Sequence, residues 1–131
     1  MLQRAEQPVA LTGVEASRSF FAPCFEGQTS ERLLVAHLDE EARCIHLATY
    51  DGSIHSVDLP IRAIIGDAIR LDTAGVVLAH NHPSGDARPS RSDKVATRSL
   101  TIAAGAIDLT LLDHLVFGGS DCVSFRRLGL L

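Results

Sequence analysis

Two histidines and an aspartate have a spacing that suits the binding of one metal ion. His80 and His82 are separated by a single residue, and Asp93 follows a short loop rich in proline and glycine. Side chains at positions i and i+2 of an extended chain point to the same side, so the two imidazoles face one point. A helix that begins near Ser90 would return the Asp93 carboxylate to that point. Three such ligands leave one position open for water, which is the pattern of catalytic zinc.

Each part of this pattern also has a simpler interpretation. A His-x-His pair often arises by chance, and the loop after it could be only a turn. Ser90 and Asp93 have the spacing of a helix cap with an acidic third residue. The complete pattern H-x-H-x7-S-x2-D is present without gaps, which favours the metal site. The two interpretations are compatible, because Asp93 can cap a helix and still face a metal ion.

A hydrolase with such a metal site also needs a general base, and the chain has few glutamates. All six of them lie before residue 42: Glu6, Glu15, Glu26, Glu31, Glu40 and Glu41. Glu31 stands at the entry to the first predicted core strand, where its side chain could face the site. Glu40 and Glu41 fall in a predicted hairpin turn, where we expect them to be solvated. Glu31 is therefore the predicted general base.

The hydrophobic pattern predicts a single α/β domain with a mixed sheet flanked by helices. The first twelve residues have weak periodicity and predict a loosely ordered arm over residues 1–12. Two polar residues of the loop, Asn81 and Ser84, are expected to fix its shape by side-chain to backbone bonds. Asp113 and His114 are interpreted as a buried, hydrogen-bonded pair, with a role behind the metal ligands as the alternative. Helices are predicted over residues 13–26, 60–73 and 90–104, and strands over 33–38, 43–49, 53–59, 75–80, 108–117 and 123–125.

Composition narrows the class of protein. The 131 residues are 46% hydrophobic and 21% charged, which is ordinary for a globular domain. No apolar run reaches the length of a membrane span, and the N-terminus does not have the order of a secretory signal, so we expect a cytoplasmic protein. The net charge of −4 argues against strong non-specific DNA binding. The local cluster of Arg88, Arg91, Lys94 and Arg98 is interpreted as a solvated helix face, with a phosphate or acidic partner as the alternative.

Beyond the metal pattern, the segments HNHPSG, LLDHLVFG and VSF resemble the RadC-like branch of the JAMM, or MPN+, domains. The resemblance extends from about residue 17 to the C-terminus. It implies a cytidine-deaminase-like α/β sandwich, here assigned to residues 13–131, and a zinc ion held by His80, His82 and Asp93. It also implies Glu31 as general base and Ser90 as the residue that stabilises the oxyanion. JAMM enzymes hydrolyse peptide or isopeptide bonds, so the resemblance implies a zinc metallopeptidase with a peptide or protein substrate.

The sequence also bears on possible partners and on functions other than that of a peptidase. The helix-hairpin-helix domain that precedes this module in full-length RadC-like proteins has no counterpart in the chain, so we expect duplex DNA binding to be weak. We expect no membrane partner, and the sequence leaves a homodimer open. The alternative function is a JAMM-fold interaction module linked to DNA repair that binds metal weakly or not at all. A nucleobase deaminase would need H-x-E and P-C-x-x-C motifs, which are absent.

Overall fold

Five strands form a mixed sheet in which the strand that carries both histidines is central. A computed structural model of the chain describes residues 9–50 and 59–131. The strands of this part are β1 (Leu33–Leu38), β2 (Cys44–Tyr50), β3 (Gly75–Asn81), β4 (Thr110–Gly118) and β5 (Asp121–Ser124), in the spatial order β2-β1-β3-β4-β5. Strands β3 and β4 are parallel, and all other neighbours are antiparallel. The sheet therefore presents the C-terminal ends of β3 and β4 at one edge.

Helices cover both faces of this sheet in the described part of the chain. They are α1 (Val14–Phe25), α2 (Ile61–Leu71) and α3 (Arg91–Gly105). On one face, Ile64 of α2 and Leu100 of α3 share a buried cluster with Leu33 of β1. On the other face, Phe21 of α1 packs with Leu34, the next residue of the same strand. The prediction of one α/β domain with a mixed sheet flanked by helices is confirmed.

Strand β3 is buried along its whole length, which accounts for its apolar sequence. All seven residues from Gly75 to Asn81 are buried, and the strand pairs with β1 on one side and β4 on the other. A strand covered on both faces needs apolar side chains at consecutive positions rather than at alternate ones. The polar residues His80 and Asn81 at its end depart from this rule, which marks the place where the sheet edge can hold a ligand.

The pairing of β3 with β4 shifts by one residue near the start of the two strands. Val76 pairs with Leu111, but the next residue, Val77, pairs with Asp113. Leu112 is therefore an extra residue in β4, as in a β-bulge. A bulge changes which residues of a strand share a face. Here it places His114, rather than Asp113, on the same face of the sheet as Leu111.

The N-terminal residues of the described part are held against the sheet. Ala10 forms a β-bridge with Arg43, the Leu11 amide donates to the carbonyl of Ala42, and the Leu11 side chain is buried. Residues 9–11 are thus fixed by backbone pairing at the edge next to β2, in contrast to the loose arm expected over residues 1–12. Residues 1–8, and all but Leu59 of the strand predicted over 53–59, lie outside the described residues. No helix of the described part is long and apolar enough to cross a bilayer.

Two glycines provide opposite tests of this fold. A Cβ at Gly66, within α2, would meet no atom within 4 Å, so Gly66→Ala should raise the free energy of unfolding by about 0.5–1 kcal/mol. A Cβ at Gly118 would lie 2.6 Å from the amide nitrogen of Ala87, so Gly118→Ala should lower it by about 1–3 kcal/mol. Urea denaturation of both variants measures the difference. A Gly118→Ala protein as stable as the parent would contradict the close approach of β4 to the 82–90 loop.

Candidate metal centre

Three potential ligand atoms converge at the C-terminal end of β3. The Nε2 atoms of His80 and His82 are 3.1 Å apart. The Asp93 carboxylate approaches both, with Oδ2 at 3.1 Å from His82 Nε2 and Oδ1 at 3.4 Å from His80 Nε2. Zinc ligands at about 2.0–2.1 Å in a tetrahedron lie about 3.3 Å from one another, which matches this spacing. Within the described part of the chain, the histidine, cysteine and carboxylate side chains that could together hold a metal ion are those of His80, His82 and Asp93.

Asp93 is placed by the start of α3, and the helix cap expected as an alternative is present. Ser90 Oγ accepts a hydrogen bond from the Asp93 amide at 2.9 Å, and Asp93 Oδ2 accepts one from the Ser90 amide at 2.8 Å. This reciprocal capping box satisfies two backbone donors that the helix itself cannot. The same oxygen, Oδ2, faces His82. The cap therefore orients the carboxylate toward the histidines, so that capping and metal binding are compatible at one residue.

The protonation of the cluster follows from its geometry. Burial alone would raise the pKa of Asp93, but hydrogen bonds from His80 and His82 outweigh burial and hold that pKa far below its usual range. The Asp93 carboxylate in turn raises the pKa of His82, and the charge of Glu31 adds to this effect. Asp93 is therefore an anionic ligand at any ordinary pH. Where His82 is protonated, it must lose the proton on Nε2 before that atom can bind a metal.

Each histidine uses its second ring nitrogen to hold its orientation. His82 Nδ1 lies 2.8 Å from the backbone oxygen of Asp86, to which it donates. His80 Nδ1 lies 2.7 Å from His114 Nε2, and His114 Nδ1 lies 2.7 Å from Thr97 Oγ1. A metal ion on His80 Nε2 requires the proton on Nδ1, so His114 Nε2 would accept and His114 Nδ1 would donate to Thr97. Partners of this kind fix the tautomer and the ring plane of a ligand.

Asp113 and His114 form the buried, hydrogen-bonded pair of the leading interpretation only through the His114 backbone. Asp113 and His114 are both buried, but Asp113 accepts from the His114 backbone amide and from Ser124 Oγ, and not from the His114 ring. Full burial, reinforced by the charge of His80, lowers the pKa of His114 well below its ordinary value, so the ring is neutral. The His114 ring instead contacts His80, which is the position that the alternative role behind the candidate ligands requires. The sequence offered this role only as an alternative, because the bulge at Leu112 decides which residue faces His80.

A family model described as the RadC-like JAB domain matches residues 11–130 of the chain. The chain belongs to this family. The match covers nearly all of the described residues and includes every predicted site residue. It agrees with the resemblance drawn from the HNHPSG and LLDHLVFG segments.

In this RadC-like JAB domain, Glu31 lies at the same end of the sheet as the histidines. Leu33, at the start of β1, pairs with His80, whereas Leu38, at its end, pairs with Gly75 at the far end of β3. Glu31 therefore precedes β1 beside the candidate metal ligands, and its charge acts on His82. Glu40 and Glu41 follow Leu38 in an exposed turn at the opposite end. The strand register thus places Glu31, but not Glu40 or Glu41, at the end of the sheet that carries the histidines.

A groove of about 500 Å³ adjoins the candidate metal centre. Its lining includes His82 and Asn81, residues of α1 and of the segment after it, and the turn between β4 and β5. Arg88, outside this groove, donates to both carboxylate oxygens of Asp86, so part of the positive charge of the predicted basic cluster is offset locally. The other members, Arg91, Lys94 and Arg98, lie on exposed positions of α3.

The hydrogen bond between His114 and His80 predicts an effect of His114 on metal affinity. His114→Leu removes the acceptor for His80 Nδ1, so zinc affinity should fall about 10- to 100-fold. Competition with a chromophoric chelator measures the change. His46→Ala removes an exposed histidine of β2 instead and should leave the affinity unchanged. Equal affinities in His114→Leu and the parent would show that His114 contributes only to packing.

The raised pKa of His82 predicts how metal affinity depends on pH. A metal ion replaces the proton on His82 Nε2, so affinity is complete above the pKa of His82 and decreases as the pH falls through it. Because this pKa is raised, the decrease should begin at a higher pH than for an unperturbed histidine. Below the pKa, the zinc dissociation constant should rise about tenfold per pH unit for each proton displaced. Calorimetric titrations with zinc between about pH 8 and pH 5.5 measure this dependence. A zinc affinity that does not change over this range would contradict the assignment of His82 as a ligand.

Proposed function

We propose that this RadC-like JAB domain is a zinc-dependent hydrolase of peptide or isopeptide bonds. The observation that carries the proposal is the convergence of His80 Nε2, His82 Nε2 and an Asp93 oxygen within 4.8 Å of one another, beside a groove. The donor set fits zinc, because two imidazoles and one carboxylate leave a fourth tetrahedral position. Both Nδ1 atoms are hydrogen-bonded elsewhere, so the Nε2 atoms are the ones available to an ion.

The residues around the site have complementary tasks in this proposal. Zinc held there would supply a Lewis acid that makes a water molecule acidic near neutral pH. Glu31 would accept a proton from the attacking water and deliver it to the leaving amine. Ser90 Oγ accepts from the Asp93 amide, which leaves its hydroxyl hydrogen able to donate to the developing oxyanion. His114 and Asp86 would hold the two imidazoles in place throughout.

The partner in this proposal is a peptide or protein that extends along the groove beside His82. Duplex DNA is at most a weak partner, because the chain is acidic overall and Arg88 is engaged with Asp86. A cytoplasmic location is part of the same proposal. It is supported by three cysteines, Cys24, Cys44 and Cys122, that all remain free thiols.

Glu31→Gln separates catalysis from metal binding. A general base contacts the reacting water rather than the ion, so this variant should keep about one zinc per chain. Its activity should fall about 10²- to 10⁴-fold, because the amide cannot accept the proton. Asp93→Ala, in contrast, should lose most of its zinc. Metal analysis of protein purified without added metal, together with a screen of peptides and ubiquitin-like fusions, provides both measurements.

The control is Glu40→Gln, an exposed glutamate at the opposite end of β1, which should change neither zinc content nor activity. Full zinc content in Asp93→Ala would reduce Asp93 to a helix cap and refute the metal site. Iron instead of zinc would point to oxygen chemistry, because non-haem iron enzymes use the same donor set. Zinc-loaded protein that is inert across the whole panel would favour the alternative, an interaction module linked to DNA repair.

A further inference from the structure

Asn81 lies between His80 and His82 in the sequence, but its side chain contacts the segment that precedes β1. Its side chain is buried, with 5% of the residue exposed. Its amide oxygen accepts from the backbone N–H of Arg32 at 2.8 Å, and its amide nitrogen donates to the backbone oxygen of Ser30 at 3.1 Å. These bonds cross to another segment of the chain, although the sequence suggested that Asn81 would shape its own loop. Ser84 does act within the loop, where its Oγ accepts from the Asp86 amide.

The two backbone groups that Asn81 binds flank Glu31 directly. The pairing of β1 with β3 ends at Leu33 and His80, so the ladder between these strands does not extend to residues 30–32. The Asn81 side chain extends the hydrogen bonding between the two segments to Arg32 and Ser30. Its amide supplies the acceptor and the donor that backbone groups of β3 would otherwise provide. A carboxamide is suited to this position, because it offers an N–H and a carbonyl oxygen on one short side chain.

We propose that Asn81 is the positioning residue for Glu31 and sets the distance between this carboxylate and the ion. The inference rests on the proposed function, in which Glu31 is the general base. Since Asn81 stands between His80 and His82 in the sequence, one short stretch of backbone carries two ligands and the clamp on the base. A displacement of about 1 Å at a reacting group can cost about 10²-fold in rate, so a fixed connection of this kind matters to catalysis.

The kinetic test is a double-mutant cycle of Asn81→Ala and Glu31→Gln. Asn81→Ala should lower kcat about 10²-fold with little change in KM, and it should keep the zinc content of the parent. In the Glu31→Gln background the same substitution should cost nothing more, because the base through which it acts is already absent. His46→Ala, which removes an exposed polar side chain of β2, is the control and should retain the parent kcat.

A second measurement needs no substrate. NMR can follow the carboxyl carbon of Glu31, assigned by its absence in Glu31→Gln, with and without one equivalent of zinc. The field of a cation falls with distance, so one equivalent of zinc should displace the Glu31 carboxyl signal in the parent and in His46→Ala. Asn81→Ala should lose most of this displacement. Asn81→Asp, which keeps the acceptor for Arg32 but not the donor to Ser30, should give an intermediate value and serves if the alanine variant does not fold.

The outcomes separate this inference from the proposed function. A full zinc-induced displacement in Asn81→Ala, or a loss of kcat that persists in the Glu31→Gln background, overturns the role of Asn81 alone. Loss of zinc from Asn81→Ala also overturns it, because Asn81 would then act on the ligands and not on the base. No effect of Glu31→Gln on activity, or a parent protein that binds no zinc, refutes the proposed function instead.

Discussion

Strand β3 is hydrogen-bonded along both edges, and the position of every site residue depends on this constraint. Its pairing with β1 brings Glu31 to the end at which the histidines stand, and its parallel pairing with β4 brings His114 behind His80. A central strand has little freedom to slide, because a shift by one residue would turn its buried side chains to the opposite face. The sheet thus fixes the positions of Glu31, His80 and His114 relative to one another. The loop after β3 has only to bring Asp93 back to the two histidines.

Asp93 connects the start of α3 to the histidines through one carboxylate. The Ser90 amide and His82 Nε2 both approach Oδ2, and Oδ1 faces His80. A capping bond is a common way to begin a helix, and it is worth about 1 kcal/mol. Here the cap also restricts the rotation of the carboxylate, so that less freedom remains to be lost when an ion binds. The local rule for beginning a helix and the geometry of a metal site are satisfied by one side chain.

The sequence predicted the elements of the fold and the ligand set more readily than the residues behind them. Periodicity located most of the described strands and helices, and the spacing of His80, His82 and Asp93 predicted a convergence that the structure contains. Glu31 could be separated from Glu40 because a predicted turn stood between the strands. A role of His114 behind the ligands was only the alternative interpretation of the sequence, since its contact with His80 depends on a register shift in β4. The clamp by Asn81 joins segments about fifty residues apart, and no local pattern encodes such a contact.

The extra residue at Leu112 has a consequence for how the length of β4 can vary. Leu111 faces the side of the sheet that α2 and α3 cover, and Leu115 faces the side of α1. Deleting Leu112 would leave a regular strand in which Leu111 and His114 still share a face and keep their partners in β3. Deleting a residue between His114 and Phe117 would instead turn part of the strand over. Chains of this architecture can therefore differ in length at the bulge while the ring behind His80 stays in place.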